Sequence, residues 1–88
     1  MKSIAITGGT SGLGLQAALN LGYQFDNMYI IGKNEQKGQN ALQDIKKLFP
    51  KLNIQFIKTD LSLISEIKKL SAYFFTKRIK IDILINNA

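Results

Sequence analysis

Four short apolar runs, each separated from the next by a stretch of helical period, constrain this chain more than any other feature. Residues 2–7 (Lys-Ser-Ile-Ala-Ile-Thr), 28–31 (Met-Tyr-Ile-Ile), 54–57 (Ile-Gln-Phe-Ile) and 81–85 (Ile-Asp-Ile-Leu-Ile) read as strands. Between them, 13–22 carries Leu13, Ala17, Ala18 and Leu21 at helical spacing. The stretch 35–49 sets Leu42, Ile45, Leu48 and Phe49 on one face, and 63–77 does the same with Ile64, Ile67, Leu70 and Phe74. Strands alternating with helices of this length are joined by right-handed crossovers and form a parallel sheet. The runs are apolar throughout rather than alternating, as expected of a sheet covered on both faces. The predicted order is β-α-β-α-β-α-β, an α/β fold.

Local signals place the helix ends. Gly22 is a stop for the first helix. Asn34 caps the second and Pro50, the only proline, ends it. Ser62 is the expected N-cap of the third. Glu66 in its first turn, Lys77 and Arg78 at its end, and Lys46 and Lys47 at the end of the second helix all suit the helix dipole.

Composition narrows the chemistry. The 88 residues are 45% apolar, enough for one small folded domain over 1–88. There is no Cys and no His. That excludes disulfides, thiolate nucleophiles, Cys-ligated zinc and an imidazole base, and no metal site is expected. Chemistry is left to Ser, Thr, Tyr, Lys, carboxylates, backbone amides or a cofactor. The net charge of +6 is spread along the chain, and Arg78 is the only arginine. With no aromatic platform for stacking, nucleic acid is not an expected partner. No apolar run is long enough to span a membrane. The first residues are too short an apolar stretch for a signal peptide, so a cytoplasmic or other reducing compartment is expected.

The strongest local signal is Thr7-Gly8-Gly9-Thr10-Ser11-Gly12-Leu13-Gly14, which follows a strand and opens a helix. Gly8 suits the tight turn, Gly12 lets a phosphate approach the backbone, and Gly14 lets the helix pack close to the sheet. Thr10 and Ser11 add hydroxyls. The helix N-terminus then faces a pyrophosphate with free N–H groups and the positive dipole end. A Walker-type loop is excluded, because no Gly-Lys-Ser/Thr follows.

The spacing G-x-x-x-G-x-G, together with Asp60-Leu61 after the third strand and Asn86-Asn87-Ala88 after the fourth, resembles the short-chain dehydrogenase/reductase family. The resemblance covers the whole 88 residues. Details such as Leu13-Gly14-Leu15, Gly32-Lys33-Asn34 and Asp60-Leu61-Ser62 are similar to retinol dehydrogenase and protochlorophyllide reductase relatives. The resemblance implies a partial Rossmann fold, a doubly wound parallel sheet with strand order 3-2-1-4. It also implies that residues 8–14 hold a dinucleotide, that Asp60 bonds the adenine amino group with Leu61 beside the ring, and that Asn86, Asn87 and Ala88 line the cofactor ribose and brace the sheet. An NAD preference calls for an acid at the end of the second strand. Gly32-Lys33-Asn34 stands there instead, and Lys33 can pair with a 2′-phosphate. NADP(H) is therefore expected rather than NAD(H).

The family's catalytic Ser and Tyr-x-x-x-Lys belong to later elements, so this stretch is expected to be incomplete at its carboxyl end and to hold no catalytic residue. Its two Tyr-x-x-x-Lys strings are poor candidates. Tyr29 and Lys33 lie on a strand, roughly 13 Å apart. Tyr73 and Lys77 share a helix face but sit towards the opposite sheet edge from the glycine loop. Two readings follow: the amino-terminal part of an oxidoreductase that moves hydride between nicotinamide and a carbonyl or alcohol, or a non-catalytic dinucleotide-binding remnant. With no helix after it, the fourth strand is expected to be an open apolar edge that invites association.

Overall fold

The computed structural model describes residues 2–87. In chain order the elements are β1 (Ser3–Thr7), α1 (Gly12–Leu21), a 3₁₀ turn (Gly22–Gln24), β2 (Asn27–Gly32), α2 (Glu35–Leu48), β3 (Asn53–Lys58), α3 (Ile64–Thr76) and β4 (Ile83–Asn86). The four strands form one parallel sheet in the order β3-β2-β1-β4, as expected. The chain winds outward from β1 to β2 and β3, then returns to the other side of β1 for β4. That reversal puts a crevice at the carboxyl ends of the strands, where α/β folds bind ligands.

Strand side chains alternate between two cores. Ile4, Ile6, Met28 and Ile30 pack against Ala18 of α1 and Ala41 and Ile45 of α2. Ala5, Tyr29 and Ile31 pack against Leu70 and Phe74 of α3, with the Tyr29 and Phe74 rings edge-on at 5.4 Å. β1 and most of β2 are thus buried on both faces. At about 1.5–3 kcal/mol for each fully buried large apolar side chain, these two strands anchor the fold.

Several helix details depart from the sequence expectation, each for a packing reason. Asn34 does cap α2, its Oδ1 accepting the Lys37 N–H at 3.0 Å. The buried stripe of α2, however, is Gly38, Ala41 and Ile45, and Leu48 is 58% exposed. The Phe56 ring lies against Gly38, where any Cβ would overlap it. That close approach turns the small residues inward and Leu48 outward. α1 ends before Gly22, but Gly22 is right-handed (φ −55°) and leads into the 3₁₀ turn. A glycine is needed there because the Phe49 ring occupies the place of a Cβ. Ser62 is not the cap of α3: Leu63 holds that position without a side-chain bond. Ser62 is instead drawn back to Asp60. Lys77 and Arg78 follow the last turn of α3 rather than lie in it.

β4 begins at Ile83, two residues later than expected, and Ile81 packs into the α3-side core ahead of it. The expectation of a sheet covered on both faces fails at this strand. Ile83 is 47% exposed and Leu84 62%. On α3 the expected inward residues Ile64 and Ile67 are exposed as well, since they lie beyond the part of the sheet that Leu70 and Phe74 cover.

Candidate functional site

The carboxyl ends of β1, β2 and β3 open into one cavity of about 390 Å³. Gly8, Thr10 and Ser11 line it from the loop after β1. Lys33 and Lys37 reach it from the end of β2 and the first turn of α2. Asp60, Leu61 and Ser62 close it from the loop after β3. Two backbone bonds carry the parallel pairing past the strands and fix its walls: Gly8 N–H to the Ile31 carbonyl at 2.9 Å, and Thr59 N–H to the Gly32 carbonyl at 2.8 Å.

The loop after β1 is shaped by its glycines. Gly8 and Gly12 have φ of 65° and 58°, in the left-handed region where a Cβ is costly. Around Gly12 a Cβ would meet nothing within 4 Å, so the backbone there faces open space. At Gly14 the reverse holds: a Cβ would overlap the Gly8 carbonyl, so α1 can start this close to β1 only without one. Gly9 is buried over Ile30, a Cβ there lying 3.1 Å from Ile30 Cγ2. Ser11 is the N-cap of α1 but makes no side-chain cap bond, and no acid stands in the first turn. The first N–H groups of α1 therefore keep their capacity for an anion. These features fit a pyrophosphate.

Of the residues singled out in the sequence, Gly8, Thr10, Ser11, Lys33, Asp60 and Leu61 share this cavity. Gly9, Gly12 and Gly14 shape the loop beside it. Leu13 projects outward, 79% exposed. Asn86 lines a neighbouring recess with Thr7, Leu61, Ser62, Ile67 and Leu84. Asn86 and Asn87 are both tied to Thr7: its hydroxyl donates to Asn86 Oδ1 at 2.9 Å and accepts the Asn87 N–H at 3.0 Å. Ala88 lies outside the described residues.

Sequence reasoning missed Lys37, Thr59 and Ser62. Lys37 was findable: it is the third residue after the Asn34 cap, and first-turn side chains of a helix lean towards its N-terminus. Thr59 and Ser62 depend on how the loop after β3 folds. There Asp60 Oδ1 accepts both the Ser62 hydroxyl (2.6 Å) and the Ser62 N–H (3.0 Å). These bonds, and secondarily the positive charge of Lys33, hold the Asp60 carboxyl below its ordinary range.

The tyrosines of the two Tyr-x-x-x-Lys strings lie away from this cavity. The Tyr73 hydroxyl donates to Gln55 Oε1 at 3.0 Å, half-way along β3. Tyr29 is buried under Phe74.

Comparison with known proteins agrees with this geometry. The family model for short chain dehydrogenase matches residues 2–88. The chain belongs to the short-chain dehydrogenase/reductase family. Short-chain dehydrogenase TIC 32 A, chloroplastic, of Brassica napus is 35% identical over 83 residues, covering 94% of this chain and 26% of the relative. Human retinol dehydrogenase 13 is 29% identical over 87 residues, covering 99% and 26%. The crystal structure of F189W actinorhodin polyketide ketoreductase with NADPH superposes with a TM-score of 0.83 at 26% identity, covering 99% of this chain and 33% of that one. The chain thus spans about a quarter of the length of these curated relatives. Membership of the short-chain dehydrogenase/reductase family implies a nicotinamide dinucleotide as cofactor. Among the described residues no helix is long and apolar enough to cross a membrane.

Proposed function

We propose that residues 1–88 form the adenosine and pyrophosphate half of an NADP(H) site. They would belong to a short-chain dehydrogenase/reductase-like oxidoreductase that transfers hydride between nicotinamide and a carbonyl or alcohol carbon. The observation that carries the choice of NADP(H) is the pair Lys33 and Lys37 lining one cavity with the glycine loop. Gly32, Lys33 and Asn34 bring no carboxylate to the end of β2. The acid of this cavity, Asp60, stands after β3 and is bonded to Ser62.

In this reading the roles divide by chemistry. Gly8 makes the turn, Gly12 admits the pyrophosphate to the backbone, and Gly14 keeps α1 against it. Gly9 seats the loop on the core. Thr10, Ser11 and the first N–H groups of α1 bond the phosphate oxygens. Lys33 and Lys37 neutralise the 2′-phosphate by charge-assisted hydrogen bonds. Asp60 keeps its second carboxylate oxygen for the adenine amino group, with Leu61 beside the ring and Leu13 at the mouth. Asn86, Asn87 and Ala88 lie on the ribose side. When bound, the cofactor supplies hydride chemistry, and this part of the chain binds and orients it.

The test compares NADPH and NADH affinity for the unmutated chain and for Lys33→Glu. Tighter NADPH binding by the unmutated chain, falling in the variant while NADH holds or gains, is the expected result. Tighter NADH binding by the unmutated chain overturns the choice of cofactor.

A further inference from the structure

The amino edge of the sheet, opposite the glycine loop, holds a second polar cavity, of about 280 Å³. Ser3, Asn27, Tyr29, Arg78 and Lys80 line it. Their hydrogen-bonding accounts leave it rich in donors. Asn53 Nδ2 donates to Asn27 Oδ1 at 2.9 Å, and Asn27 Nδ2 donates to Ser3 Oγ at 3.2 Å. This chain across three strands uses Ser3 Oγ and Asn27 Oδ1 as acceptors. It leaves the Ser3 hydroxyl proton and one Asn27 amide proton available to donate. Ser3 and Asn27 are both buried, 5% and 8% exposed, so their orientation is fixed by packing. Burial also raises the Tyr29 phenol, which keeps it a protonated donor.

The cations add to this. Among the described residues Arg78 and Lys80 form no ion pair; the one salt bridge joins Lys69 and Glu66. The carboxylates of the same edge are each held by a backbone N–H, Asp82 by that of Ser3 in the cavity wall. Asp26 Oδ2 accepts the Lys2 N–H and Asp82 Oδ2 accepts the Ser3 N–H, each at 2.8 Å, and neither side chain lines the cavity. The last carbonyls of α3 are met by backbone, Phe74 by the Ile79 N–H and Phe75 by the Arg78 N–H. They leave the guanidinium free of a helix-end role.

Arg78 is also the one non-glycine residue with positive φ among those described, at 56°. It sits just past the C-cap of α3, where glycine is the strain-free choice. The left-handed conformation belongs to this helix-ending turn, and it sets the Arg78 side chain at the cavity. We propose that this edge is a binding site for a small oxyanion of the phosphate type, held by Arg78 and Lys80 and by the Ser3, Asn27 and Tyr29 donors.

The experiment is calorimetric titration of the full chain with inorganic phosphate at constant ionic strength, repeated with Arg78→Gly, Lys80→Gln and Lys33→Glu. Saturable binding is expected. Arg78→Gly should weaken it by about tenfold or more, the worth of one charge-assisted pair. The same variant should raise Tm by relieving the backbone strain, so loss of binding there is not loss of fold. Lys80→Gln should weaken binding, and Lys33→Glu should at most remove a separate component belonging to the glycine-loop cavity, leaving the component that Arg78→Gly abolishes. Competition by phenyl phosphate would identify the ligand as a phosphate ester, and failure to compete as the free ion; either agrees with the site. No saturable binding overturns the proposal. So does binding lost in Lys33→Glu but kept in Arg78→Gly, which would put the anion on the glycine loop, or equal displacement by chloride.

Discussion

The Thr7 hydroxyl donates to Asn86 Oδ1 at 2.9 Å, joining the carboxyl ends of two strands that are 79 residues apart in sequence. The same oxygen accepts the Asn87 N–H at 3.0 Å. Thr7 opens the glycine loop and Asn86 ends β4, so one hydroxyl fixes both walls of the crevice at the strand reversal. Thr7 is buried, whereas Asn86 and Asn87 are exposed and can turn to water when it is lost. Thr7→Val, which keeps the shape, is expected to lower stability by about 0.5–1.5 kcal/mol. Thr7→Ser should recover most of it. Chemical denaturation of the two variants and the unmutated chain checks this; a Thr7→Val midpoint equal to that of the unmutated chain would show that the shape of the side chain, not its hydroxyl, holds the strands.

Gly12 and Gly14 are two residues apart and should respond differently to alanine. At Gly12 there is room, and the penalty is the left-handed backbone alone, about 1–2 kcal/mol. At Gly14 the new methyl would overlap the Gly8 carbonyl, so α1 must move off the sheet. Gly14→Ala is therefore expected to lower Tm more than Gly12→Ala. Gly12→Ala should weaken dinucleotide binding in a chain that remains folded. Thermal melts with and without NADPH separate the two. A larger drop for Gly12→Ala would contradict the packing account.

Lys37 gives a prediction independent of Lys33. Both line the same cavity, but Lys37 stands on the first turn of a helix whose cap is Asn34. The cap bond uses the Lys37 backbone N–H, so Lys37→Gln leaves it intact. The substitution is expected to weaken NADPH binding by about tenfold and leave NADH binding nearly unchanged. Equal losses for both cofactors would show that Lys37 does not face the 2′-phosphate.

These contrasts show what could be read from residues alone. The element order, the Asn34 cap and the need for glycine at positions 8, 12 and 14 followed from periodicity and from backbone geometry, which are local properties, whereas the strand order 3-2-1-4 came from the family resemblance. Leu48, Ile67 and Ser62 were misread because their orientation is set across the fold. The phase of α2 about its axis is decided by the Phe56 ring lying on Gly38, a contact between a helix and a strand. Ser62 had two possible employments, capping α3 or bonding Asp60. The turn geometry after β3 chose the second. Lys37 was legible in principle, from helix-start geometry, once the cap was placed.

Asp60 carries a pH dependence. Its carboxyl is lowered from the ordinary 3.8, first by the Ser62 hydroxyl, then by the Ser62 N–H, with a smaller part from the charge of Lys33. A carboxyl lowered in the folded state contributes stability that is fully present above its unfolded value and is lost as pH falls through the folded one. The turn after β3 should therefore loosen only in the acid range below the ordinary value. Ser62→Ala should move the Asp60 titration upward towards 3.8. Carboxyl carbon shifts followed by NMR during an acid titration give the midpoint directly. A midpoint unmoved by Ser62→Ala would mean that the Ser62 hydroxyl is not the main cause of the shift.

The two edges of the sheet differ in a way that predicts behaviour in solution. β3 turns exposed Asn53, Gln55 and Lys58 outward along one edge. β4 exposes Ile83 and Leu84 along the other and has no charged residue within it. Leu84 faces the same side as Ala5, its partner in register, where Ile67 and Ile64 of α3 are exposed too. An uncharged apolar edge strand beside an apolar patch favours pairing between chains, whereas lysine and polar groups on an edge oppose it. The 88-residue chain is therefore expected to self-associate with rising concentration. Leu84→Lys should shift it towards monomer without lowering stability, because the side chain is already 62% exposed. Lys58→Leu, on the opposite edge, should increase association. Sedimentation velocity over a concentration series measures both. A monomeric unmutated chain, or one whose association ignores Leu84→Lys, would show that the β4 edge is not the contact.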